Sequence, residues 1–270
     1  MVGVTNKVVI VTGAASGQGA GEALALARAG ARVIATDLRE QAPAWIADAD
    51  HLAYRRLDVA RPADWQALSA WIGERHGRVD GLVNNAGTPN RERLLDVTLA
   101  EWERVLAVNV TGALLGIQTI VPWMTNGGAI VNVGSVAGLT GHYAAAYTAS
   151  KWALRGLSRV ASLELGPRGI RVNAIHPGYI ETPMTAAAPD AFRTTNAAQT
   201  PLGRTGQVED VVPLVVFLLS DEAAFISGAD IPVDGGMSGH GGMKPLSDAA
   251  ATGRLPTDPG PGASPQIARG

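Results

Sequence analysis

Cysteine is absent from all 270 residues, which removes disulfides, thiolate nucleophiles and thiolate metal sites together. Lysine is nearly absent, with three in the chain, and aromatic residues make up only 5%. The net charge of −2 gives no positive field for nucleic acid, and no basic amphipathic stretch suggests a membrane surface. Five histidines are scattered without the H-x-x-x-H spacing of a helical metal site, so no metal is expected. The first apolar run ends at Thr12-Gly13. It is too short to span a bilayer and lacks a signal-cleavage pattern, so the expected location is the cytoplasm. There is no internal repeat. What remains is 46% hydrophobic and 17% charged, an ordinary globular balance with ample material for one large core.

Periodicity divides the chain cleanly. Short β-branched runs at 7–12, 32–37, 51–58, 79–84, 129–133, 171–176 and 230–233 read as strands. Helical spacing marks 17–30, 62–76, 98–124, 147–165 and 208–219. Strands alternating with helices predict an α/β fold over residues 1–238: a single Rossmann-type doubly wound parallel sheet with helices on both faces. Such sheets bind ligands beyond the carboxyl ends of their strands. From Gly239 the composition shifts to glycine and to Pro245, Pro256, Pro259, Pro261 and Pro265. Residues 239–270 are therefore expected to be a Gly/Pro-rich tail without regular structure.

The unusual residues fall at the predicted strand ends. Thr12-Gly13-Ala14-Ala15-Ser16-Gly17-Gln18-Gly19 lies between the first strand and the first helix, where glycines allow a tight turn and close approach to a pyrophosphate. The spacing is G-x-x-x-G-x-G. Asp37 ends the second strand, where a carboxylate accepts hydrogen bonds from ribose hydroxyls and repels a 2′-phosphate. NAD(H) is thus expected over NADP(H), although Arg39 nearby is the kind of residue that binds such a phosphate. Tyr147 and Lys151 stand four apart, hence on one face of a helix. With so few of either residue, chance produces such a pair in roughly 4% of chains of this composition. An ammonium beside a phenol is expected to lower the phenol's pKa and make it a usable acid or base.

Together these segments resemble the short-chain dehydrogenase/reductase family from about residue 5 to about 238. The likeness is carried by Thr12–Gly19, Asp58-Val59, Asn84-Asn85-Ala86-Gly87, Asn109, Ser135, Tyr147-x-x-x-Lys151 and Pro177-Gly178 with Thr182. Ser150-Lys151-Trp152, Ile170-Arg171-Val172-Asn173 and His176-Pro177-Gly178 are similar, more narrowly, to bacterial 3α/20β-hydroxysteroid dehydrogenases.

The resemblance implies a catalytic set of Asn109, Ser135, Tyr147 and Lys151. Tyr147 would be the acid/base, Lys151 would lower its pKa and hold the nicotinamide ribose, Ser135 would bind the substrate oxygen, and Asn109 would hold a relay water. The implied cofactor residues are Gly13, Ser16, Gly17, Gln18, Gly19, Asp37, Asp58, Val59, Asn85, Ala86, Gly87, Pro177, Gly178 and Thr182, together with Tyr147 and Lys151. Without the family, Ser135 reads equally as a turn residue, and Asp58 and Thr182 as helix caps. Residues 179–204 would be a substrate lid, and His142, Tyr143, Tyr179 and Met184 the substrate contacts.

The implied activity is NAD(H)-dependent interconversion of a hydrophobic secondary alcohol and its ketone, in a homotetramer built through 98–124 and 147–165. A 3-oxoacyl or polyketide ketoreductase and a non-catalytic NAD sensor are the alternatives. Two departures from the family pattern stand out. Gln18 replaces the usual apolar residue, and the Ser135–Tyr147 gap is one residue shorter than is common.

Overall fold

A computed structural model describes residues 3–46 and 51–252. Seven strands are present: β1 (Val8–Thr12), β2 (Arg32–Asp37), β3 (Leu52–Arg56), β4 (Gly81–Asn84), β5 (Gly128–Val133), β6 (Ile170–Pro177) and β7 (Asp230–Val233). They form one sheet in the order β3-β2-β1-β4-β5-β6-β7, with every pairing parallel. Successive residues of each strand serve opposite faces. Val9, Val11, Val33 and Val131 pack under α1 (Gly17–Arg28) and α7 (Val208–Leu219). Val8, Ile10, Ile34 and Ile130 pack under α2 (Pro62–Arg75) and α4 (Gly112–Ile120), with α5 (Ala145–Leu165) alongside on β6. Both faces are covered, which is why the strands read as continuous β-branched runs. Each large core side chain contributes about 1.5–3 kcal/mol by leaving water.

Three features depart from the sequence expectation. The predicted helix at 98–124 is not uniform: α3 (Leu99–Leu106) runs into a π turn at Ala107–Thr111 before α4 begins. The wide turn carries Asn109, which is buried and bonded to Thr88 and Ser150. The run Leu99–Trp123 is long and apolar enough to cross a bilayer, but here its segments pack against α2, α5 and β4. A further helix, α6 (Asp190–Gln199), lies within the expected lid. The stretch after Gly239 was expected to be irregular, yet it forms α8 (Lys244–Thr252), and His240 Nε2 meets the carbonyl of Gln199 at 3.0 Å. Of the tail prolines, Pro256, Pro259, Pro261 and Pro265 lie outside the described residues.

One buried acid in α1 has an energetic consequence. Glu22 is fully buried. Its Oε1 accepts from Gln18 Nε2 at 3.2 Å, while its Oε2 has no hydrogen-bond partner among the described residues. Burial pushes its pKa from 4.5 up to about 8, against the opposing pull of the Gln18 bond. A group whose folded pKa is raised contributes stability that is fully present below its unfolded pKa and is lost as pH climbs toward the folded value. The window here is therefore about pH 4.5 to 8. Glu22→Gln should flatten it: the wild-type unfolding free energy from urea titration should fall across this window by an amount on the order of a few kcal/mol relative to the variant.

Candidate active site

Five loops meet at the carboxyl ends of β1, β2, β4, β5 and β6. The first is the glycine turn between β1 and α1. Gly13 and Gly17 have φ of 66° and 59°, a left-handed conformation that glycine adopts without strain. At Gly19 a Cβ would fall 2.5 Å from the Gly13 carbonyl oxygen and still closer to Asn85 Nδ2. The turn is clasped from β4. Thr12 Oγ1 donates to the Val83 carbonyl at 3.2 Å and accepts from the amides of Asn85 and Ala86 at 3.1 and 3.0 Å. Asn85 Nδ2 donates to the carbonyls of Thr12 and Gly13 at 2.8 and 3.2 Å. Asp37 accepts from the amides of Ala15 at 3.1 Å and Arg39 at 3.2 Å. It therefore shapes the turn while facing the cleft.

The second half comes from β5 and α5. Ser135 follows β5, its Oγ accepting from the Ala137 amide at 3.2 Å. Tyr147 and Lys151 occupy successive turns of α5 on one face. The Lys151 ammonium lies 5.6 Å from the Tyr147 ring centroid and donates to the Val133 carbonyl at 2.8 Å. Burial depresses the Lys151 pKa to about 8. Against the expected lowering by Lys151, burial raises the Tyr147 pKa, opposed by a hydrogen bond with Ser135, because desolvation disfavours the phenolate. Asn109 Nδ2 donates to Ser150 Oγ at 2.9 Å and to the Thr88 carbonyl at 3.1 Å. It is thus fixed one helical turn beneath Tyr147 and beside Lys151.

These elements enclose a cleft of about 320 Å³. All the cofactor candidates line it except Asp58 and Val59. The Asp58 carboxylate accepts from the Ala60 amide at 3.0 Å, a local turn ahead of α2, whose N-cap is Arg61, so Asp58 does not cap that helix. Val59 is buried against Gly112 of α4. Thr182 lines the cleft and its hydroxyl meets that of Thr185 at 3.3 Å. A second, more apolar pocket opens beside the cleft, lined by His142, Tyr143, Tyr179 and Met184 as expected. The two share Ser135 and Tyr147. Tyr179 and Phe192 of the lid pack ring to ring at 5.8 Å.

The sequence reading missed Asn90, Arg91 and Met237 in this pocket, because nothing in their local pattern distinguishes a pocket wall from a surface loop. It also missed the support under Ser135. His176 is fully buried. Its Nδ1 lies 3.1 Å from the Ser135 carbonyl and its Nε2 lies 2.9 Å from Asp230 Oδ1. The ring thus bridges the Ser135 carbonyl and the Asp230 carboxylate. Asp230 also accepts from Arg155 at 2.9 Å and from Arg159. Burial opposes its ionisation, but the bonds from Arg155, His176 and Arg159 prevail and lower its pKa. Gly19→Ala tests the close packing of the turn. It should cost about 1–3 kcal/mol by forcing apart the glycine turn and Asn85, read as a drop in the thermal midpoint.

The comparisons with known proteins agree with this geometry. A family model described as enoyl-(acyl carrier protein) reductase matches residues 13–238. A 3-alpha-(or 20-beta)-hydroxysteroid dehydrogenase of Mycobacterium tuberculosis is 44% identical over 235 residues, covering 85% of this chain and 88% of the relative. A trans-4-hydroxycyclohexanecarboxylate dehydrogenase of Sinomonas cyclohexanicum is 39% identical over 246 residues, covering 86% and 93%. Among solved structures, a candidate gluconate dehydrogenase of Agrobacterium tumefaciens superposes with a TM-score of 0.84 at 31% identity, over 87% of this chain and 97% of that one.

Proposed function

Because the chain belongs to the short-chain dehydrogenase/reductase family, whose relatives act on alcohols and ketones, we propose that it is an NAD(H)-dependent oxidoreductase. Its substrate pair is a hydrophobic secondary alcohol and the corresponding ketone. The observation that carries the reading is that the cleft at the glycine turn and the apolar pocket adjoin along a shared wall that includes Tyr147 and Ser135.

The residues present fit a nicotinamide dinucleotide. The glycine turn is packed tightly against 85–86, and Ser16 to Gly19, the N-terminus of α1, line the cleft, where a helix N-terminus meets a pyrophosphate. Asp37 keeps lone pairs free for ribose hydroxyls. Bound there, the cofactor supplies or accepts the hydride. The chain's residues handle the proton and the position of the substrate. Tyr147 donates a proton to the carbonyl oxygen in reduction and removes it in oxidation. Ser135 hydrogen-bonds the same oxygen and steadies the charge that develops on it. Lys151 supplies positive charge beneath the phenol and a donor toward the ribose, and Asn109 orders the polar floor behind it. The apolar walls of the second pocket, Val136, Met184 and Phe192 among them, favour a hydrophobic, alicyclic substrate body, in keeping with the hydroxysteroid and cyclohexanecarboxylate relatives.

The exposed apolar side chains of Trp152, Val160 and Leu163 on α5 support subunit assembly through α4 and α5, which we read as a homotetramer. The His240 contact with α6 supports a tail laid on the lid.

NADH oxidation against steroid, alicyclic, aryl and 3-oxoacyl ketones tests the activity and separates the ketoreductase alternative. Binding without turnover would point to a sensor. In Tyr147→Phe, kcat/KM should fall by at least about 100-fold, with NADH affinity changing far less. Since burial raises the Tyr147 pKa above the ordinary phenol value of 10, the wild-type rate of alcohol oxidation should climb steadily as pH rises above neutral while ketone reduction stays flat until the pH passes about 10, because oxidation needs the phenolate and reduction the phenol. Asp37→Asn should raise the NADPH/NADH preference by about tenfold or more, as removal of the carboxylate lets Arg39, also on the cleft wall, take the 2′-phosphate.

A further inference from the structure

Among the described residues lining the apolar pocket, Arg91 is the only one with a side chain charged at neutral pH. His142, the other titratable base there, is held neutral by desolvation that lowers its pKa. Arg91 sits on the loop after β4, just beyond Pro89 and the buried Asn90. That loop is locally built. Asn90 Oδ1 accepts from the Glu92 amide at 3.2 Å, and its Nδ2 donates to the Glu92 carboxylate at 3.3 Å. The nearest acid along the chain is thereby drawn to an amide instead of to Arg91. The neighbouring Arg93 is turned over the Tyr143 ring, 5.6 Å from its centroid.

Arg91 itself makes only two hydrogen bonds among the described residues, Nη1 to the Ala187 carbonyl and Nη2 to the Met184 carbonyl, each 3.4 Å long. Bonds of that length to neutral carbonyls are weak, and no acid lies within ion-pair distance of Arg91 among the described residues. A guanidinium offers five donors in a fork matched to a carboxylate. A purely apolar substrate would gain nothing from such a group in its pocket.

We propose that Arg91 forms an anion subsite, and that the substrate is a hydrophobic hydroxy acid or oxo acid whose carboxylate lies against Arg91 while its reacting carbon lies against Tyr147. The proposal rests on the dehydrogenase reading and narrows it. Arg91 is a specificity residue and takes no part in the proton or hydride transfer.

Matched acid and methyl-ester ketones test it, beginning with 4-oxocyclohexanecarboxylate and its ester and extending to pairs built on whichever skeleton the ketone panel shows to be reduced. Wild type, Arg91→Met and Arg91→Lys are compared with NADH. Wild type should favour the acid in kcat/KM by at least about tenfold, chiefly through KM, and this preference should shrink as ionic strength rises. Arg91→Met should erase the acid/ester ratio, and Arg91→Lys should keep part of it. Equal rates on acid and ester in wild type would overturn the anion subsite while leaving the dehydrogenase standing. So would a Met variant that scales both substrates by one factor, since Arg91 would then only tie the loop to the lid. Failure to reduce any ketone would defeat both readings.

Discussion

The clasp between Thr12 and Asn85 is the contact on which the site depends. It forms where the strand order reverses, between β1 and β4, the point at which connections leave the sheet in opposite directions and open a crevice. The Thr12 hydroxyl bonds three backbone groups of the β4 end, and the Asn85 amide returns two bonds to the glycine turn. The backbones approach so closely that residue 19 has no room for a Cβ. One polar cluster thus sets the separation of the two loops that form the cofactor cleft, and through Ala86 and Gly87 it sets where the Asn109–Lys151 group lies against that cleft.

Burial is the second organising force, and it acts on charge. Lys151, Tyr147 and Glu22 are all shifted toward their neutral forms, with desolvation as the leading cause in each. In the site, this leaves a phenol and an ammonium whose protons can be moved without the expense of stripping water at the moment of reaction. Under the glycine turn the same physics keeps Glu22 protonated with Gln18 as its partner. That pairing explains why a polar residue is tolerated between the last two glycines: the Gln18 amide is satisfied from within α1 instead of competing for the cleft.

The Ser135 loop is supported from behind by a chain of charge. Arg155 and Arg159 on α5, Asp230 on β7 and His176 on β6 converge, and the imidazole ends on the Ser135 carbonyl. Because α5 also carries Tyr147 and Lys151, the network fixes the serine relative to the tyrosine through side chains from three separate elements. A loop one residue shorter than the family's common length is accommodated between these two anchors, as Ser135 and Tyr147 still line the same cleft and the same pocket.

Much of this was legible from local pattern. The strands declared themselves because both faces are buried, which demands unbroken β-branched runs. The Tyr147–Lys151 pair declared itself because helical pitch turns a spacing of four into adjacency, and the glycine turn because left-handed backbone favours one residue type. Other features left no such trace. The helix α6 buries no residue, so it has no apolar stripe to read. The π turn depends on Asn109 reaching Thr88 and Ser150, and the His176 network on groups more than forty positions apart in sequence. Arg91 is unremarkable in its loop and, though exposed, becomes distinctive only because the fold sets it on the rim of the apolar pocket. The sequence by itself therefore determined the sheet, the turn and the pairing of Tyr147 with Lys151, whose causes are short-range. Only the tertiary structure decided which way burial moved the pKa values, what holds Ser135, and where Arg91 lies on the apolar pocket with no acid beside it among the described residues. Each of these depends on solvent exclusion or on contacts between segments distant in the chain.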